Sequence, residues 1–507
     1  MTMDNLLDSI GAVETLAWNT VGIFVILAVG VYLGYRTRLV QLRHIPDMFR
    51  AITDKATSDA EGRTRSLSAF QTFTITASAR VGTGNIAGVA GAIALGGPGA
   101  VFWMWLMAIF TSAASFVEST LAQLYKVRRF DTFKGGPAYY IERGLGSRSG
   151  GIVFAVIFIF CFALSFTSLQ SNTIVDAATG AATELGLEDT TSMVWILAVA
   201  LAGLTGLVVL AGLRRVAQVT QRVVPLMAMA YILLGLVVVA LNIEAIPAVF
   251  GMIFGEALNF TSAAGGAFGA MIMAGVQRGM FSNEAGMGSV PNVAATADVS
   301  HPVKQGLVQT LGVYLDTLII CSVTAFIILV TFPDQAVRAE TNLGGELTQE
   351  ALTANFGAFG AIALAVIILL LAFTSILGNY SYGEMNVLFI SSSEKSRKIY
   401  AVALTAVVFL GAIIPVDLAW AIAGVTMVII AVYNLVVISL LGGTAVRLLK
   451  HYETQKRQGL DPLFLASDMP DLRNIECWGE ADMADHRAGP ATEPRTSAGR
   501  QDTRSQG

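Results

Sequence analysis

Residues Ala79 to Gly88 read ARVGTGNIAG. An arginine, a threonine, an asparagine and three glycines stand here in a stretch that is otherwise apolar. Glycine lowers helix stability by ~1 kcal/mol per site relative to alanine, so a helix is expected to open at this point. Opening frees backbone N–H and C=O groups, which are costly in hydrocarbon unless they face protein or a wet cavity. The freed amides of Thr83 and Gly84 could then hold a carboxylate. The freed carbonyls of Ser78 and Val81 could hold a small cation, with glycine letting a ligand approach the backbone. A second apolar stretch carries Gly265, Gly266, Gly269, Gly275 and Gly279. Interrupted helices in corresponding positions of two halves point to an inverted-repeat transporter. Close packing of small residues is the competing reading, and Gly84 and Gly88 have its spacing. It accounts poorly for Arg80, Thr83 and Asn85 in the same turn. The string Gly82-x-Gly84-x-x-Ala87 also matches a dinucleotide fingerprint, but that motif needs a strand before it and a soluble βαβ unit around it.

The elements that must position these residues follow from composition. The chain has 507 residues, 54% hydrophobic and 13% charged, with a mean hydropathy of +0.64. Long apolar runs recur from Trp18 to Leu440, each able to cross a ~30 Å hydrocarbon layer as a helix. The sequence therefore reads as an all-α polytopic membrane protein. Asp4, Asp8 and Glu14 precede the first run; a cleaved signal would begin basic, so this helix is expected to be retained. Helices are expected at about 17–36, 67–94, 99–126, 151–179, 191–213, 219–242, 259–281, 304–332, 355–390, 397–415 and 417–447, eleven in all, with boundaries good to about 2–4 residues.

Of the 32 basic residues, all but Arg80 and Arg338 then fall on one side, with Arg278 and Lys304 flanking the turn after the seventh helix. By the positive-inside rule the N-terminus lies outside and the C-terminus in the cytoplasm. The polar segment 451–507 reads as a largely disordered cytoplasmic tail. Cys161, Cys321 and Cys477 do not form a disulfide framework. The histidines (His44, His301, His451, His486) fall in loops or the tail, so no catalytic triad or metal cluster is expected in the helices. The chain reads as a carrier in a lipid bilayer, with no nucleic-acid partner, no cofactor and no enzymatic activity. A channel would want a continuous polar lining in place of two isolated breaks.

Four segments carry a family resemblance. ARVGTGNIAGVAGAIALGGPGAVFWMW, GVQRGMFSNEAGMGSVP (Gly275 to Pro291), FKGGPAYYIERGLG (Phe133 to Gly146) and YSYGE (Tyr380 to Glu384) resemble the hallmarks of the sodium:alanine/glycine symporters, the amino acid carrier proteins. The resemblance covers about residues 10 to 450. It implies a LeuT-type fold, a 5+5 inverted repeat, here with one extra N-terminal helix. The divisions would be 1–66 for that helix and a cytoplasmic loop, 67–242 for the first repeat, 243–450 for the second and 451–507 for the tail. It implies import of small neutral amino acids with sodium across the plasma membrane (bacterial cell inner membrane), by alternating access. A proton-coupled or uncoupled carrier of the same fold is the alternative, and would be expected to replace the hydroxyl pair described next by an acid or a lysine.

Carried over residue by residue, the resemblance puts the substrate carboxylate on Thr83 and Gly84, with Asn85 ordering the turn. Sodium would be held by Thr374 and Ser375 with the carbonyls of Ser78, Val81 and Leu371, an all-oxygen set that suits a hard cation. The two hydroxyls could instead bond carbonyls of their own helix. Gln170 would stand near the substrate, or serve as an interhelical hydrogen bond. Gly265, Gly266 and Phe268 would line the pocket, unless Phe268 is plain packing. Ser375 and Asn379 complete the substrate residues. Family members usually carry tryptophan where this chain has Asn379, which predicts tolerance of a larger or more polar substrate such as serine, asparagine or glutamine. Arg80 lies about 20 Å into the membrane by helix rise, where a charge costs at least ~2.5–3.5 kcal/mol and is usually paired. Asp316 at similar depth is its expected partner in an inner gate, with Glu118, Glu284 and Glu384 as other possibilities.

Overall fold

The computed structural model describes residues 3–54, 56, 66–129, 132–187, 189–259, 267–334, 346–484 and 486. Gly265, Gly266 and Arg338 lie outside them. The chain opens with α1 (Met3–Ala17), a π turn and α2 (Ile23–Arg36), followed by the short α3 (Val40–Arg43) and α4 (Ile45–Ala51). The first helix thus begins well before the expected residue 17. Next come α5 (Ala69–Arg80) and, beyond a break, α6 (Val89–Gly96) and α7 (Gly99–Leu124). A hairpin of β1 (Val127–Arg129) and β2 (Thr132–Lys134), in register Arg128 to Phe133, leads to α8 (Pro137–Leu145).

A long helix follows, α9 (Arg148–Phe158) and α10 (Thr167–Glu184) joined by a π segment, then α11 (Thr191–Val209), α12 (Leu213–Leu241) and α13 (Ile246–Ala257). The second half runs α14 (Ala267–Asn283), α15 (Pro291–Ala294), α16 (Pro302–Val313) with α17 (Ser322–Thr331), α18 (Glu346–Phe356), α19 (Ala358–Ile390), α20 (Glu394–Gly411) and α21 (Val416–Arg457).

Eight of these helical stretches are long and apolar enough to cross a membrane. Their outward faces leave Phe24, Leu207, Leu226 and Leu440 exposed, a surface suited to hydrocarbon. The helices at 69–96, 267–283 and 394–411 also fall where the sequence places them, but they are interrupted, short or charged.

Local rules explain where α5 starts. Ser68 Oγ accepts from the Gln71 amide at 3.2 Å and Gln71 Oε1 accepts from the Ser68 amide at 3.0 Å, a reciprocal capping box. The Asp298 amide donates to Leu67 O at 3.0 Å, which ties the start of α5 to the segment after α15.

One expectation is corrected here. The tail is not disordered from residue 451. Helix α21 runs on to Arg457, and Phe464, Trp478 and Met483 are fully buried. A few large apolar side chains anchor a segment whose overall composition is polar. Arg278 lies in the last turns of α14, as its expected place just before the turn implies. It stacks 4.0 Å above the Trp420 ring, and its neighbour Gln277 donates to Glu14 at 2.5 Å.

Candidate functional site

The first break falls at Val81 to Thr83. Helix α5 ends at Arg80, Val81 leaves helical geometry with ψ 89°, and a π turn spans Gly84–Gly88. Asn85 holds the opened turn. Its Oδ1 accepts from the Gly82 amide at 2.9 Å. The Thr83 amide donates to Gln170 Oε1 at 3.1 Å, so a side-chain oxygen from α10 occupies the place expected for a carboxylate oxygen. Gly82 must be glycine, because a Cβ there would lie 2.3 Å from Ser375 Oγ and within 3.0 Å of the Gln170 amide.

Ser375, on α19, gathers the expected cation ligands. Its Oγ lies 2.8 Å from Ser78 O, 3.3 Å from Val81 O and 3.1 Å from Leu371 O. A hydroxyl carries one proton and cannot satisfy three carbonyls at once. The surplus of lone pairs is what a small hard cation would use. Thr374 Oγ1 lies 3.0 Å from both Leu370 O and Leu371 O. Its hydroxyl bonds its own helix and meets the set through Leu371. The donors present therefore fit a sodium ion as coupling ion.

The expected break at Gly265 and Gly266 lies outside the described residues, and a turn lies at the other end of α14. Helix α14 is continuous from Ala267 to Asn283, and the chain turns at Glu284 (φ 55°), Gly286 (φ 86°) and Gly288 (φ 76°). Residues in the left-handed region end a helix outright. Gly275 and Gly279 have another use, since a Cβ on Gly275 would lie 2.5 Å from Ala100 O of α7 and one on Gly279 would touch Met104. Glu118, on α7, accepts from the Gly286 and Gly288 amides at 3.1 and 3.0 Å and from Asn434 Nδ2 at 2.8 Å. A carboxylate thus clamps the opened backbone.

The residues that meet the first break are Phe281 and Ser282, against which a Cβ on Gly84 would press at 2.8 and 3.1 Å. Phe268 is about 20 Å of helix rise before Phe281. It packs edge-on to Trp103, centroids 6.0 Å apart, so its expected place in the pocket is corrected to the far end of α14. Phe281 stacks on Phe166 (4.6 Å) and leans on Trp420 (5.0 Å), an aromatic roof that includes Arg278. The sequence reading missed Phe281, Ser282, Phe166 and Trp420, and took Glu118 as a possible partner of Arg80 in place of its hold on the Gly286 and Gly288 amides. The signal was present in NEAGMGSVP, where an acid, two spaced glycines and a proline follow Phe281 and Ser282.

Arg80 and Asp316 do not pair, which corrects the expected gate. Arg80 donates to Gln309 O at 3.1 Å and to Ser115 Oγ at 3.2 Å, in a space that a Cβ on Gly312 would fill. No ion pair reaches it among the described residues. Asp316 lies about 6 Å of helix rise beyond Gly312 and is taken up by neutral donors. Asn85 Nδ2 and Ser282 Oγ donate to it at 2.6 Å and Thr317 Oγ1 at 3.0 Å. Asn85 therefore links Asp316 to the opened turn. Asn379 lies one turn beyond Ser375 on α19. It is buried, with neither amide atom hydrogen-bonded.

An interrupted helix whose break is met by the end of α14 inside an apolar bundle marks a secondary transporter of a multi-pass membrane type. A family model described as the sodium:alanine symporter family matches residues 3–466, and the chain belongs to that family. It is 47% identical over 455 residues to the amino-acid carrier protein AlsT of Bacillus subtilis (strain 168), covering 90% of this chain and 94% of that one. It is 43% identical over 481 residues to the probable sodium/glutamine symporter GlnT of the same organism, covering 95% and 98%. To the sodium/alanine symporter AgcS of Methanococcus maripaludis it is 35% identical over 447 residues, covering 86% and 95%.

Among solved structures, MhsT in complex with L-phenylalanine aligns with a TM-score of 0.55 at 12% identity, covering 78% of this chain and 99% of that one. That likeness shows a shared LeuT-type fold. The chain is an amino-acid transporter of a sodium-coupled family and not an enzyme.

Proposed function

We propose that the chain imports small neutral amino acids with sodium by alternating access across the bacterial inner membrane. Eleven helices cross, arranged as an extra helix and a 5+5 inverted repeat, with the N-terminus outside and the C-terminus in the cytoplasm. The observation that carries this reading is the meeting of Ser78 O, Val81 O and Leu371 O on Ser375 Oγ, two residues along the chain from the Thr83 amide that meets Gln170. Sodium at the oxygens and a carboxylate at the amides would then share one opened turn. Sodium moving down its gradient supplies the drive, with about 2.3 kcal/mol per charge for each 100 mV of membrane potential.

The substrate range extends beyond alanine. Asn379 puts an amide where the family resemblance expects an indole, and a relative at 43% identity is named as a probable sodium/glutamine symporter. The test is uptake into proteoliposomes made without sodium and then given an inward sodium gradient, with labelled alanine and glutamine. Accumulation of both is expected. Accumulation that follows a proton gradient and ignores sodium would overturn the cation site at Ser375.

A further inference from the structure

The chain beyond Arg457 forms a strap across one end of the bundle. It first meets the start of α16. Lys304 Nζ lies 2.8 Å from Asp461 Oδ1 and 2.8 Å from Asp54 Oδ2. Ser300 Oγ donates to Pro462 O at 2.8 Å and the Phe464 amide returns to Ser300 O at 2.9 Å. It then crosses the end of α7, where the fully buried Trp478 donates from Nε1 to Gln123 O at 3.1 Å. Lys126 is held between the Phe133 ring (4.0 Å) and the Trp478 ring (4.6 Å).

Further on it reaches the hairpin and α8. Arg143 Nη2 donates to Glu476 at 2.7 Å and Arg128 pairs with Asp482 at 2.9 Å. Near its described end, His486 Nε2 lies 2.9 Å from Asp298 Oδ1. The strap is also fastened back to its own helix, since both terminal nitrogens of Arg447 lie 2.6 Å from Asp471.

These contacts join parts that alternating access must separate. In the rocking motion implied for this fold, α5–α6, α7, α14 and α16–α17 move against the remaining helices. The strap leaves α21, which belongs to the second group. It binds the ends of α7 and α16, which belong to the first. We infer that residues 458–486 are an autoinhibitory strap that holds the cytoplasmic side closed, so that release of substrate inward requires the strap to lift. The inference rests on the alternating-access reading above. The build suits a releasable device: a few buried apolar side chains, Trp478 the largest, give the anchor, and a rim of partly exposed ion pairs, individually weak, gives the seal.

The test uses the full chain in proteoliposomes. Trp478→Ala is expected to raise the initial rate of sodium-driven uptake about threefold or more, because gating steps commonly limit turnover, and to open the strap to added protease. In a second arm, Lys304→Cys and Asp461→Cys are joined by a reversible thiol cross-linker in a Cys477→Ser background, because Cys477 lies on the strap; Cys161 and Cys321 are buried within the bundle. Cross-linking is expected to lower uptake to about a tenth or less of the starting rate, with recovery on reduction, as for any blocked gating step.

A protease-open strap with an unchanged or lower uptake rate overturns the inference, and so does full transport by the cross-linked protein. The second arm stands if Trp478→Ala does not fold. Absence of sodium-driven uptake in the unaltered chain overturns the symport reading itself, and is seen before any variant is compared.

Discussion

At the scale of single residues, variants of Ser375 and Asn379 test the proposed sodium and substrate sites separately. Among the described residues, Ser375 Oγ is the side-chain atom that touches Ser78 O, Val81 O and Leu371 O together. Ser375→Ala removes a ligand while leaving the carbonyls in place. The sodium concentration for half-maximal uptake should rise about tenfold or more, matching the loss of one hydrogen-bond-strength contact of about 1.4 kcal/mol. Thr374→Ala should shift it less, because that hydroxyl already serves the carbonyls of Leu370 and Leu371. Sodium titration of alanine uptake reads both, and equal shifts would count against the central place of Ser375. Asn379 has no hydrogen bond to lose, so Asn379→Trp tests volume and polarity. Uptake of labelled glutamine should fall well before that of alanine. A parallel fall in both would show that this position does not select the substrate.

At the scale of elements, the two breaks show what a sequence discloses. The first was legible because arginine, threonine and asparagine share a turn with three glycines, and helix packing gives no use for those polar groups. The glycines in and after α14 are there for two different reasons. Gly275 and Gly279 are small so that α14 can lie against α7, whereas Gly286 and Gly288 are glycine because their φ is positive. Composition does not distinguish these two needs; a neighbouring proline and an acid do. Glu118, which clamps that second turn from another helix, has no local signal at all, because the contact joins residues far apart in the chain. Its carboxylate accepts from two backbone amides and from Asn434.

Glu118→Ala should therefore destabilise the protein by about 3 kcal/mol or more, because three buried donors lose their acceptor at about 1–3 kcal/mol each. Thermal unfolding in detergent gives the measurement, with Glu118→Gln expected to retain part of the loss. Gly82→Ala should act differently. Its Cβ would be driven into Ser375 Oγ and Gln170, so uptake should be abolished while the unfolding temperature moves little.

At the scale of the whole molecule, the docked strap makes its end of the bundle sensitive to pH. His301 is fully buried, and burial first, then the facing His451 ring and the Lys304 ammonium, hold its pKa well below the ordinary 6.5. Its Nδ1 accepts from the Val303 amide at 3.2 Å, and its Nε2 faces His451 Nδ1 at 3.2 Å. The rings of Tyr452 and Phe464 close the remaining sides, and Asp468 lies 3.6 Å from the far nitrogen of His451. Phe464 belongs to the strap, so lifting the strap exposes His301 and returns it toward its ordinary value.

The sign follows from linkage. Below about pH 6.5 the lifted form takes up a proton that the docked form refuses, so docking weakens as pH falls through that value. Lys126 acts in the same sense at higher pH. Burial under Phe133 and Trp478 pushes its pKa down to about 8 from 10.5. Between those values the lifted form holds more protons, so docking gains as pH rises. Protease cleavage of the strap should therefore be slowest above about pH 8 and accelerate below about pH 6.5. His301→Gln should remove the acidic step and leave the alkaline one. An acidic acceleration that survives His301→Gln would assign the effect to the carboxylates of the rim and not to the buried histidine.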